Sequence, residues 1–114
     1  MTLFERIIAR EIPADIVHED ERCIAFRDIS PQAPVHLLIV PKKPVSRVGR
    51  AADEDEALLG HLLLVGRDLA ASLGFQDEEK GFRLVLNHGR DAGEAVPHLH
   101  VHLLAGRPMA WPPG

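Results

Sequence analysis

Val96-Pro97-His98-Leu99-His100-Val101-His102-Leu103-Leu104 alternates imidazole and aliphatic side chains with a period of two. That period predicts a half-buried β-strand. Leu99, Val101 and Leu103 would face a core, and His98, His100 and His102, three of the chain's seven histidines, would share the opposite face. Imidazole is the side chain whose ordinary pKa, about 6.5, lets it act as base, acid or nucleophile near neutral pH. A strand rises about 3.3 Å per residue, so His98 and His102 lie roughly 13 Å apart. Three such rings cannot close on one zinc ion, whose nitrogen ligands sit about 2.0–2.1 Å away. A neighbouring pair would need a third ligand, for which His36, set in an apolar run, is the candidate.

A phosphoryl group fits this spacing better, because it offers oxygens in several directions. The middle ring, His100, would attack phosphorus through a neutral nitrogen. A flanking histidine would hold nonbridging oxygens or protonate the leaving atom. Covalent catalysis of this kind splits one difficult displacement into two easier ones. The nucleophilic ring needs its other nitrogen protonated and donating, most simply to a backbone carbonyl. The preceding loop, His88 to Gly93, carries Gly89 and Gly93, whose backbone N–H groups suit anionic oxygens. Turn geometry explains the same glycines equally well.

The 114 residues, with 46% hydrophobic and 26% charged side chains, suit one soluble domain spanning residues 1–114. A net charge of -4 gives no electrostatic basis for binding nucleic acid, so a phosphate site must be built locally. Cys23 is the single cysteine, which precludes an intrachain disulfide and fits a reducing compartment. The N-terminus lacks a secretory apolar segment, and no apolar stretch is long enough to span a bilayer. The expected location is the cytoplasm, with no membrane partner.

Thr2-Leu3-Phe4-Glu5 matches a capping box and predicts a short helix with Leu3, Phe4, Ile7 and Ile8 as its apolar stripe. Residues 15–19 and 23–27 read as a hairpin around the polar turn 20–22. Asp28 to Pro34 is a proline-punctuated loop, and Val35 to Val40 reads as a central strand. Asp53 to Glu56 opens a helix of about 20 residues that ends at Gly74. Its stripe is Leu58, Leu62, Val65, Leu69 and Leu73, widened by Gly66 and Ala70, whose small side chains admit a close neighbour. Residues 81–87 form a further strand. The order predicts an α+β domain: an antiparallel sheet of about five strands, one long and one short helix, with the helices on one side.

His98-Leu99-His100-Val101-His102-Leu103-Leu104 resembles the motif of the histidine triad (HIT) superfamily. The likeness extends over essentially the whole chain. Asp28-Ile29-Ser30-Pro31-Gln32-Ala33-Pro34-Val35-His36, Val40-Pro41-Lys42-Lys43, Leu58-Leu59-Gly60-His61-Leu62 and the tail from Gly106 to Trp111-Pro112-Pro113-Gly114 resemble the Hint branch, the purine nucleoside phosphoramidases. The resemblance implies a HIT-like fold and hydrolysis of the P–N bond of adenosine or guanosine 5′-phosphoramidates, without cofactor or metal, in a homodimer. It makes His100 the nucleophile, His98 and His102 the groups that position phosphate and leaving group, and His36 the completion of the cluster. Asp28 would bind the ribose hydroxyls, Phe4, Ile7, Phe26 and Ile29 the base, and Asn87 the phosphate or ribose side. Gly93 and the backbone N–H of Ala95 would face the phosphate.

Two positions depart from the animal Hint pattern: Ala95 stands in place of serine and Glu94 in place of glutamine. Trp111 fits either packing or substrate contact. Asp28 has an alternative role as a loop cap. His18 and His61 read as surface or interface groups. The competing readings are a dinucleoside polyphosphate hydrolase, a longer nucleotidyltransferase, a nucleotide sensor without turnover, and a metal-binding module.

Overall fold

Two stretches, Cys23–Phe26 and His36–Pro41, are buried at every residue. Strands buried on both faces need a cover on each side. The computed structural model, which describes residues 1–114, supplies both covers. Five strands form one antiparallel sheet: β1 (Ile16–Glu19), β2 (Cys23–Arg27), β3 (Val35–Pro41), β4 (Arg83–Val85) and β5 (Val101–Ala105). Their order is β1-β2-β3-β5-β4. Helix α1 (Leu3–Ile8) covers one face and helix α2 (Glu56–Ser72) the other.

The helices therefore lie on opposite sides of the sheet, not on one side as the element order suggested. On the α2 side, Leu62, Val65 and Ala70 pack with Cys23, Ala25, Leu37, Ile39, Val101 and Leu103. On the α1 side, Phe4 and Ile7 pack with Ile24, Phe26, Leu38 and Val40. The two clusters take alternate residues of the same two strands, as the pleat requires.

Thr2 caps α1: its hydroxyl accepts the Glu5 N–H (3.2 Å) and the Glu5 carboxylate accepts the Thr2 N–H (3.1 Å). The acidic run before α2 forms a 3₁₀ turn, Asp53–Asp55, so the long helix starts at Glu56 and has 17 residues. Asp55 is buried against Lys43 at 2.6 Å. Gly66 lies on the sheet side of α2. A Cβ there would stand 2.9 Å from Leu84 Cδ2 and 3.4 Å from Ile39 Cδ1. The small face of the helix is thus filled by the chain's own sheet, not by a second copy. No helix is long and apolar enough to cross a membrane.

The histidine segment joins the sheet later than its alternation predicted. Pro97 offers no N–H. The His98 N–H turns back to the Val96 carbonyl (2.9 Å), and the Leu99 N–H bonds Val45 O (2.7 Å) in the connection beyond β3. Ladder pairing starts at Val101, opposite Ile39. The alternation of faces survives: Leu99, Val101 and Leu103 enter the α2-side core.

Candidate active site

A cavity of about 350 Å³ opens on the α1 side of the sheet. That volume is in the range of small-molecule sites. Phe4 and Ile7 of α1, with Phe26 and Leu38 of the sheet, make its apolar wall. His100, His102, Asp28 and Asn87 supply its polar side, and Gly93 and Ala95 bring the glycine loop to its edge. Gly93 has φ +82, a left-handed conformation that a side chain would strain. Ile29 is 94% exposed and borders the mouth.

Hydrogen bonds fix which ring nitrogens hold protons. His100 Nδ1 lies 2.7 Å from the His98 carbonyl oxygen. A carbonyl only accepts, so Nδ1 carries the proton and donates. In the neutral ring this leaves Nε2 with a lone pair. The second chain starts at Gln32, whose N–H donates to His36 Nδ1 (3.0 Å). The proton of His36 must then sit on Nε2, which donates to His102 Nδ1 at 2.8 Å. His102 is left with its proton on Nε2 as a donor. His100 and His102 thus enter one cavity as a bare nitrogen and an N–H, with ring centroids 4.9 Å apart.

Electrostatics keep His102 neutral. Burial, followed by the neighbouring His100 and His36, lowers its pKa to about 4. Burial also lowers His36, against the opposing pull of Asp28. Because the folded ring binds its proton less readily than the unfolded one, the unfolded state holds more protons between about pH 4 and 6.5. Stability should therefore rise with pH across that window. The check is the urea midpoint at pH 5 and pH 7. The difference between the two should shrink in His102→Gln.

The structure does not bring every predicted residue to the cavity. His98 is 1% exposed and lies outside it. Its Nε2 donates to the Pro41 carbonyl (2.8 Å), and its own carbonyl holds His100. It anchors the backbone, because the turn after Pro97 carries it beside β3. Its ring stays on the α1 side, 6.3 Å from the Phe4 ring, so the three rings share one face but not one cavity. His36 is buried behind His102 and does not line the cavity either. Trp111 is 83% exposed and also lies outside it. The tail before it is held on β4, where Arg83 donates to the Ala110 carbonyl.

Asp28 serves as the loop cap and also faces His36. Oδ1 accepts the Ser30 N–H at 2.8 Å as a loop cap, and Oδ2 lies 3.5 Å from His36 Nε2. Glu94 turns away from the cavity. It forms a two-pronged pair with Arg47, both contacts 2.8 Å, and accepts the Gly89 N–H at 3.2 Å. These contacts lower its pKa to about 2 and tie down the glycine loop. A glutamine could not form that charged fork. His88 likewise serves the loop, accepting the Gly49 N–H at 3.1 Å.

The wall residues Ile12, Pro13 and Ala14 carried no sequence signal, because an irregular segment has no periodicity to read. Ligand atoms of Asp28, His36 and His102 lie within 4.8 Å of one another. This is the set nearest to the metal reading, and within it His36 and His102 are joined by a hydrogen bond.

The HIT domain family model matches residues 9–109. An uncharacterized HIT-like protein of Synechocystis sp. is 57% identical over 113 residues, covering 99% of this chain and 96% of that protein. The crystal structure of a HIT family hydrolase from Legionella pneumophila matches with a TM-score of 0.95 and 46% identity, over 100% of both chains. That of a histidine triad nucleotide-binding protein from Candida albicans matches with a TM-score of 0.83 and 30% identity, over 98% of this chain and 83% of that one. With the family model matching most of its residues and nearly the full length in common with these proteins, the chain belongs to the HIT domain family.

Proposed function

We propose that this protein is a purine nucleoside phosphoramidase of the Hint kind. The observation that carries the reading is the protonation pattern: His100 presents a free Nε2 to an apolar-walled cavity while its Nδ1 is held by the His98 carbonyl. Hydrolase and nucleotide binding appear in the names of the solved relatives from L. pneumophila and C. albicans. Phe4, Ile7, Phe26 and Ile29 would hold the purine, Asp28 Oδ2 the ribose hydroxyls, and Asn87 the phosphate or ribose side.

His100 Nε2 attacks phosphorus and the P–N bond breaks, giving a nucleotidyl-histidine and a free amine. Water then attacks the same phosphorus, releasing the nucleoside monophosphate and restoring the ring. The His98 carbonyl stabilises the positive charge that the ring gains in the intermediate. With a pKa of about 4, His102 is neutral at pH 7 and donates through Nε2 to a nonbridging oxygen. It is a poor proton source for the leaving amine, which would take its proton from solvent at the open mouth.

A homodimer accompanies this reading. Leu63 and Leu64, 42% and 49% exposed on the outer side of α2, and the free edge of β4 are the surfaces that a second copy would cover.

The test is release of AMP from an adenosine 5′-phosphoramidate with chelator present, beside a dinucleoside polyphosphate at equal concentration. Faster chelator-resistant turnover of the phosphoramidate supports the reading. Preference for the polyphosphate, or binding of AMP without turnover, overturns it. Ala95 refines the prediction. A hydroxyl at the cavity edge would give the transition state one more donor, and such donors are worth about 10²–10³ in rate when well aimed. Ala95→Ser should raise kcat by at least tenfold, read with several leaving amines.

A further inference from the structure

On the α2 side of the sheet, away from the histidine cavity, four polar side chains converge on the turn between β1 and β2. Asp20 Oδ2 lies 2.8 Å from His18 Nε2, 2.7 Å from His61 Nε2 and 3.4 Å from Cys23 Sγ. None of these residues lines the cavity. His18 is the penultimate residue of β1, Cys23 begins β2, and His61 reaches in from α2, so the cluster joins three elements.

We propose that His18, Asp20 and Cys23 form a site for a zinc-class divalent cation. The ligand atoms of these three residues lie within 4.8 Å of one another. Tetrahedral zinc with N and O bonds near 2.0–2.1 Å and an S bond near 2.3 Å sets N···O at about 3.3 Å and S···O at about 3.6 Å. The observed 2.8 and 3.4 Å need an opening of a few tenths of an ångström. One nitrogen, one carboxylate oxygen and one sulfur form a set suited to zinc or cobalt and poorly suited to magnesium or calcium. His18 and Asp20 are 32% and 29% exposed, which gives a route for the ion and room for water in the fourth position.

His61 does not act as a fourth ligand. Arg22 donates to its Nδ1 at 3.0 Å, so the ring proton sits on Nε2 and points to Asp20. An N–H held onto a ligating carboxylate is how a supporting residue orients its ligand. Asp20 Oδ1 is fixed in turn by the N–H groups of Arg22 and Cys23, at 2.8 and 2.9 Å, leaving Oδ2 for the cation. The Cys23 thiol points at Asp20 Oδ2, so binding exchanges the thiol proton for the metal.

The experiment titrates the full chain with Co²⁺ and follows the near-ultraviolet sulfur-to-cobalt charge-transfer band. One equivalent should develop the band, and Zn²⁺ should bleach it. Cys23→Ser should abolish it. His18→Gln, at a partly exposed position the fold tolerates, should weaken binding at least tenfold. His61→Gln should weaken it by about 10–100-fold. His102→Asn should leave the titration unchanged, which separates this site from the cavity histidines. No band in the parent chain, a band that survives Cys23→Ser, or unchanged affinity in His18→Gln would overturn the proposal.

Discussion

His100→Ala should lower kcat/KM for an adenosine 5′-phosphoramidate by about 10⁴-fold or more, because it removes the atom that forms the covalent bond. The ring is 7% exposed and packs edge-on against Phe4 with centroids 4.9 Å apart. Its removal therefore leaves a small void, and thermal unfolding must show that the variant is still folded. The informative partner is His98→Ala. It keeps the carbonyl that orients position 100 and loses only the ring's bond to Pro41. Its turnover should fall far less than that of His100→Ala, while its stability should fall more. Rapid quenching should trap a nucleotidylated protein in the parent chain and none in His100→Ala. Turnover that persists in His100→Ala, or a trapped adduct on another residue, would remove the basis of the proposed chemistry.

The unequal roles of the histidines show what the sequence could and could not say. The period of two correctly assigned Leu99, Val101 and Leu103 to a core. It could not show that Pro97 delays strand pairing to Val101, because that depends on Val45 accepting the Leu99 N–H from a distant connection. The two-sided burial of β2 and β3 was legible in their apolar runs, broken only by His36, and it implies a helix on each face. The element order alone suggested otherwise. His36 stood out as a polar break in an apolar run, whereas its contact with His102 spans 66 residues and leaves no local pattern. The same is true of Asp20, His18 and His61. Each looks like an ordinary surface residue until α2 folds over the β1–β2 turn. Glu94 seemed a departure at the catalytic edge, and only the fold shows that its partner is Arg47.

Phe4→Ala tests whether the first helix is part of the site or a mere appendage. Six residues are too few for a helix to stand alone in water. α1 is held by its capping box and by Phe4 and Ile7, which are 4% and 6% exposed. The Phe4 ring meets Phe26 at 5.6 Å and His100 at 4.9 Å, both edge-on. Truncating a buried phenylalanine costs about 3–5 kcal/mol in a closed core. Here the loss has an upper limit: once α1 detaches, the rest of the sheet with α2 has nothing more to lose from this substitution. The expected outcome is a lower denaturant midpoint together with hydrogen exchange that accelerates first in residues 3–8. Turnover should fall by about 10²-fold, since the wall that sets the His100 ring is displaced by an ångström or more. Phe4→Leu, which refills most of the volume, should recover most of the stability. It should recover less of the rate, because a branched aliphatic side chain does not reproduce the flat edge against the imidazole. If Phe4→Ala kept both rate and stability, α1 would be no wall of the cavity, and the purine would have to be held by Phe26 and the loop after it.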